Sequence, residues 1–262
     1  MGREALSRST LRTGMPFNEH LRELRKRITR IVILLGIATA VSFVFHQEVL
    51  NFLMKPATEF TSSPGGKPIF TDPTEFIGVA MKVSLLGGLV LTLPVILYEA
   101  IMFAAPGLTQ RERRYLIALL PVTLLAFIAG GAFGYVVLFP PAFKFLLTFG
   151  ADVASAMIRI GPLVNLVVRL LVWMGLVFEL PILLFFLTKI GLVTPNMLSK
   201  YRPYALVMAF VLGALITPTM DPINQALVAL PIMLLYEIGI WLSKLAKLGS
   251  RRQLARRNTP DE

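Results

Sequence analysis

The chain has 262 residues, of which 55% are apolar and 16% charged, and its mean hydropathy is +0.71. A soluble domain of this length carries about 25% charged and about 45–50% apolar residues, which argues against a soluble enzyme with one core. The net charge of +11 leaves a nucleic-acid binder or a membrane protein with basic ends, while zero cysteines and two histidines, His20 and His46, argue against disulfides, thiolate chemistry and a His-based metal site.

Residues 1–14 are Arg/Ser-rich and acid-poor and read as a disordered tail. Residues 1–27 are polar, so no secretory leader is expected there. From Met15 to Arg27, Leu21, Leu24 and Ile28 fall on one helical stripe while Arg22, Glu23 and Arg25–Arg27 take the rest, giving an amphipathic helix that runs into the first apolar block. A helix needs about 20 residues to cross a hydrocarbon core of about 30 Å. Six blocks qualify as spans: 28–45, 76–98, 115–139, 163–187, 203–216 and 225–242. The last two look short, so either the bilayer thins beside them or their flanks extend both helices. Lys82 and Arg169 lie close enough to a span end to snorkel. The segment 46–75 is rich in Pro and Gly and reads as a turn-rich external cap, and 142–149 as a short helix on the membrane rim.

The basic residues then choose the orientation. Residues 1–30 carry 8 Lys/Arg, 99–114 carry 3, 188–202 carry 3 and 244–262 carry 6, whereas 46–75 and 140–162 carry 2 each and 217–224 none. Such a bias puts both termini in the cytoplasm, and it scatters the basic residues over four segments rather than one nucleic-acid-binding stripe. The expected fold class is therefore an all-α polytopic membrane protein. It has six transmembrane helices, N-in/C-in, an amphipathic N-terminal cytoplasmic helix and two short final spans. The expected organisation is a tail (1–14), a six-helix membrane domain (15–248) and a basic cytoplasmic tail (249–262).

Three local patterns carry chemistry. Glu23 lies four residues before Arg27, where it forms at least a helical i,i+4 pair. Glu112 stands in Arg111-Glu112-Arg113-Arg114, which alone reads as a solvated charge run. Glu179 falls inside the fourth span two residues before Pro181, where an unpaired acid costs about 2.5–3.5 kcal/mol and a polar notch with a kink is expected. It either contacts a partner or bonds internally to the fifth or sixth span. In the turn 218–225, Asp221 is placed to cap the sixth span.

These stretches resemble the TatC family, the multispanning receptor subunit of the twin-arginine protein translocase. His20-Leu21-Arg22-Glu23-Leu24-Arg25-Lys26-Arg27 precedes the first span. Leu93-Pro94-Val95-Ile96-Leu97-Tyr98 closes the second. Phe103-Ala104-Ala105-Pro106-Gly107-Leu108 and Arg111–Arg114 follow, then Phe178-Glu179-Leu180-Pro181, Arg202-Pro203-Tyr204, and Thr217-Pro218 to Asp221 with Gln225. The resemblance covers roughly 15–248. It implies that Glu23 and Glu112 bind the twin arginines of a signal peptide, with Arg25 and Phe103 shaping that surface. It implies that Glu179 and Gln225 are intramembrane polar contacts for single-span partner helices of the TatA and TatB kind, and that Pro56 and Asp221 are structural in the external loops. It implies a prokaryotic cytoplasmic (inner) membrane, an oligomeric assembly that exports folded proteins, use of the proton motive force, and no cofactor. Thr109-Gln110-Arg111, Thr219-Met220 and Asn224 depart from the family pattern, while the two glutamates match it.

Rival functions have less support. No His-x-x-x-His pair, no intramembrane Asp and no intramembrane His occurs, so proteolysis within the membrane lacks its groups. A proton-coupled small-solute transporter using Glu179 is the alternative, against which stands the lack of an inverted repeat. An insertase would accept apolar segments irrespective of a twin arginine.

Overall fold

In a hydrocarbon solvent every backbone N–H and C=O must be satisfied within the chain, and a helix achieves this segment by segment. The computed structural model describes residues 17–58, 68–104, 110–148, 158–217 and 221–257, and it is helical almost throughout. The helices are α1 (Phe17–Val44), α2 (His46–Thr58), α3 (Pro73–Ala104), α4 (Gln110–Phe133), α5 (Phe139–Thr148), α6 (Ile160–Phe178), α7 (Leu180–Lys189), α8 (Pro195–Lys200), α9 (Arg202–Ile216) and α10 (Pro222–Arg257). The tail at 1–14 lies outside the described residues.

Among the described residues, five segments are long and apolar enough to cross a membrane: Leu21–Val44, Pro73–Ala100, Ile117–Thr148, Ile160–Lys189 and Pro222–Leu248. The helix α9, with 15 residues, is shorter, about 22 Å at 1.5 Å per residue. The chain is thus a multi-pass helical membrane protein.

The helix α6 lies at the centre. Its Val164, Val167, Leu170 and Met174 are almost fully enclosed by Val79 and Val83 of α3, Leu138, Phe139 and Val228. The periphery is apolar and uncovered: Val32, Ile37 and Val44 on α1, Val207, Val211 and Leu215 on α9, and Leu230, Leu234 and Trp241 on α10 are all more than half exposed. Faces of this kind suit lipid, not water.

Three expectations from sequence need correction. The final span is not short: α10 is one helix of 36 residues. Glu237 breaks the apolar run of the sequence, but its carboxylate pairs with Arg202 at 2.6 Å, so the charge does not end the helix, which carries on through the first residues of the basic tail. The turn-rich cap contains a 13-residue helix, α2, with Pro56 inside its last turn, where the missing N–H leaves the Phe52 carbonyl to another donor. The rim helix is not separate. The helices α4 and α5 are joined by a π-helical turn, Gly134–Leu138, in which the Phe139 N–H reaches back to the Gly134 carbonyl. Pro140 and Pro141 have no N–H for the carbonyls of Val136 and Val137, and the wider turn absorbs that loss without breaking the rod. Tyr135 in this turn donates its hydroxyl to the Phe52 carbonyl of α2.

Polar contacts sort the helix ends. Ile69 pairs with Arg159 in a parallel bridge, Ile69 N donating to Ile158 O and Ile160 N to Ile69 O, each at 2.9 Å. Glu75 at the start of α3 takes the Gly161 N–H at the start of α6 (3.0 Å) and Arg159 (3.0 Å). The starts of α3 and α6 therefore share one end. Just outside α3, hydrogen bonds from the Thr74 hydroxyl and N–H hold the Asp72 carboxyl below its ordinary pKa. At the opposite end, Glu23 and Arg27 near the start of α1 meet Glu99 near the finish of α3, and Thr188 of α7 meets Ser243 of α10.

Candidate functional site

Glu23 and Arg25 lie in the second and third turns of α1, where Leu24 is half-buried and Arg25 exposed, while Leu21 and Ile28 of the expected apolar stripe are exposed. Arg27, one turn later, donates to Glu23 Oε1 through Nε (3.1 Å) and Nη2. Its Nη1 reaches across to Glu99 Oε2 on α3 at 2.5 Å, and Arg30 Nη1 takes Glu99 Oε1 at 3.0 Å. Two carboxylates and two guanidinium groups thus form one network, with Glu99 almost completely buried. Among the described residues, Glu23 Oε2 is buried and has no hydrogen-bond partner. Half of this carboxylate is clasped by its own helix and half remains to accept a donor.

The sequence reading missed Glu99. It pairs with residues 69 and 72 positions away, a separation that no local pattern reveals. Its one signal was being the acid nearest the end of the second apolar block. Phe103, half-buried, lies one turn beyond it in the last turn of α3, so it shares the end of the bundle that holds Glu23. Glu112 belongs to the first turn of α4, also at this end, but its side chain lies outside what is described.

Glu179 occupies the junction between α6 and α7. Its N–H bonds to the Leu176 and Val177 carbonyls, so the helix tightens there before Pro181 restarts it. The helix is interrupted there for a single residue, with backbone angles that stay helical. The internal hydrogen bond considered for the side chain is not seen at Oε1, which is buried without a partner. Because α6 begins at Ile160, Glu179 lies about 28 Å along the α6–α7 rod and only ten residues from Lys189. It therefore lies toward the end that holds Glu23 and Glu99.

Gln225 sits at the other end. Its Nε2 donates to the Phe210 carbonyl at 2.6 Å, and a Cβ on Gly213 would meet the Gln225 carbonyl at 2.8 Å, so α9 and α10 touch backbone to backbone there. Arg169 also turns to α9, donating to the Leu215 carbonyl at 3.4 Å, while Lys82 donates to Asn165 at 2.8 Å. Both cations have partners beyond simple snorkelling. Asp221 precedes α10 and accepts the Asn224 N–H at 2.8 Å and its side-chain amide at 3.0 Å, the geometry of a helix cap. Pro56, half-buried in α2, belongs to the same end. The structure thus brings Glu23, Arg25 and Phe103 to one end, adds Glu99 to them, and separates Glu179 from Gln225. Among the described residues no group of three or more His, Asp or Glu side chains is spaced to hold a metal ion.

Comparison with known proteins gives a consistent result. The family model of the Sec-independent protein translocase protein (TatC) matches residues 19–231. A Sec-independent protein translocase protein TatC of Carboxydothermus hydrogenoformans is 36% identical over 233 residues, 89% of this chain and 94% of the relative. One of Aquifex aeolicus is 40% identical over 234 residues, 88% and 96% of the two chains. A crystal structure of the twin arginine translocase receptor TatC superposes with a TM-score of 0.77 at 38% identity, covering 87% of this chain and 99% of that one.

Proposed function

Since this chain belongs to the TatC family of Sec-independent protein translocase proteins, we propose a specific route by which its membrane bundle receives a twin-arginine signal. The chain is a non-enzymatic core subunit of the twin-arginine translocase and works in a complex with other subunits of that system. The finer reading is that the end holding Glu23, Glu99 and Phe103 faces the cytoplasm of a prokaryote, with six passes and both termini on that side. The excess of Lys and Arg at that end supports this orientation.

The signal peptide's two guanidinium groups dock on Glu23 and Glu112, with Arg25 and Phe103 bordering the site. The observation that carries this is the divided state of the Glu23 carboxylate, one oxygen held by Arg27 and the other buried and unfilled. A buried carboxylate oxygen without a donor costs free energy, and an incoming N–H relieves it. Guanidinium is the matching donor, because it binds carboxylates through a planar fork. Glu179 and Gln225 serve as polar contacts for TatA- and TatB-like single-span helices. Glu179 supports this through its own unfilled buried oxygen. Pro56 and Asp221 shape the external loops, and transport of folded cargo draws on the proton motive force.

The test is site-specific crosslinking to a twin-arginine signal peptide. Glu23→Ala and Glu112→Ala should each weaken the crosslink while the protein remains inserted, and the double variant should abolish it. Undiminished crosslinking in the double variant would remove the basis for the assignment.

A further inference from the structure

The end of the bundle that holds Lys189 and Arg202 carries a second feature. A cavity of about 400 Å³ is lined by Pro195, Asn196, Lys244, Lys247 and Leu248, within the roughly 300–1,000 Å³ of ligand sites. Its walls are fixed. Thr188 and Ser243 share a buried hydroxyl hydrogen bond of 2.5 Å, Tyr236 donates to the Leu198 carbonyl at 2.8 Å, and Thr194 caps α8 through the Met197 N–H. Together these bonds lock the α7–α8 turn and α8 onto α10.

Lys244 and Lys247 are three residues apart on α10 and so share a face. Among the described residues neither enters an ion pair. The carboxylate on the same helix about two to three turns earlier, Glu237, is taken by Arg202. Two ammonium groups beside an amide side chain, with no acid among the described residues paired to them, form a receptor for an anion.

The depth of the cavity identifies the source of that anion. Lys244 follows Pro222 by 22 positions, about 33 Å of helix, which matches a hydrocarbon core of about 30 Å. Both ammonium groups therefore stand at headgroup level. Trp241, 69% exposed, lies one turn deeper, and Tyr201 and Tyr204 are exposed at the start of α9, as expected of an interfacial aromatic belt. Leu245 and Leu248 are exposed beside the lysines and offer an apolar wall to whatever continues from the anion. Free phosphate has no use for such a wall, whereas a lipid does. We propose that this cavity binds the phosphate diester of an anionic phospholipid, with Lys244, Lys247 and Asn196 donating to the phosphate and Leu248 lying against the glycerol and first acyl carbons. A zwitterionic choline lipid is disfavoured, because its own ammonium meets two more.

The full-length protein in detergent, examined by native mass spectrometry, tests this with phosphatidylglycerol, phosphatidylcholine and inorganic phosphate as probes. Phosphatidylglycerol should be retained in preference to phosphatidylcholine. Lys244→Gln/Lys247→Gln should weaken it about 30-fold, about fivefold per lysine. Lys244→Arg/Lys247→Arg should retain it, and excess inorganic phosphate should leave it in place. Equal retention by the glutamine variant, equal retention of the choline lipid, or displacement by inorganic phosphate would each overturn the proposal. Should the glutamine variant not fold, salt provides the same decision in the unmodified protein: rising ionic strength should release phosphatidylglycerol and spare phosphatidylcholine, and indifference to salt would overturn it.

Discussion

Arg27 of α1 and Glu99 of α3 meet at 2.5 Å, the Glu99 side chain only 6% exposed, and this pair ties the first membrane-spanning helix to the second. Removing Glu99 strips two arginines of their shared acid at a buried seam. Glu99→Ala should therefore lower stability by about 3 kcal/mol. Glu23 is 25% exposed and takes only Arg27, so Glu23→Ala should cost about 1 kcal/mol or less. Thermal unfolding of both variants in detergent measures the difference, and equal costs would show that Glu99 is not the principal tether.

A twin-lysine signal peptide should crosslink at least tenfold less than a twin-arginine one. An ammonium is a point charge and cannot share one planar fork between two carboxylate oxygens. Titration of the two peptides against the same protein reads the ratio directly. Comparable binding would count against carboxylate clamping.

Close packing of α4 on α6 depends on a missing side chain. A Cβ on Gly130 would stand 2.4 Å from the Met174 carbonyl oxygen and 2.8 Å from Phe178 Cβ. The first obstacle is backbone and cannot rotate away, so Gly130→Ala should destabilise by about 2 kcal/mol. Gly36, with nothing within 4 Å of the same added atom, is the control. Its alanine variant should not destabilise, and helix propensity should raise its stability by up to about 1 kcal/mol. A melting experiment on both variants decides whether the seam is as tight as described.

Asp221 offers a way to separate structure from transport. Asp221→Ala removes the cap of α10 and should cost about 1 kcal/mol, whereas Asp221→Asn caps nearly as well and should not. If the role is structural, the asparagine variant should also export a folded reporter normally. Loss of export with unchanged melting would assign the carboxylate charge a task beyond capping.

The sequence revealed what is periodic or compositional and concealed what is paired at a distance. Apolar blocks and the bias of Lys and Arg were enough to find the helices and their alternation, because lipid imposes those patterns on any spanning segment. The Glu23–Arg27 pair was legible as an i,i+4 spacing. Glu99 was not, since only the folding of α3 against α1 brings it within reach. The full length of α10 was hidden by Glu237, whose charge reads as an end until Arg202 is seen beside it. The run from α4 into α5 was hidden by Pro140 and Pro141, which signal a break that the π turn avoids. At Glu179 the interruption between α6 and α7 was legible from Pro181, which cannot donate to the helix ladder.

Among the described residues, the first helix packs chiefly on α3. Almost none of its apolar stretch is buried, and the α3 seam is closed at one end by the Glu23–Arg27–Glu99–Arg30 network. A guanidinium that fills Glu23 Oε2 would share this carboxylate with Arg27, whose other arm holds Glu99. Free energy is a state function, so any change such a ligand makes in how Arg27 is shared is matched by an equal effect of that sharing on the ligand's affinity. One arginine thus answers both to the surface carboxylate and to the seam between α1 and α3.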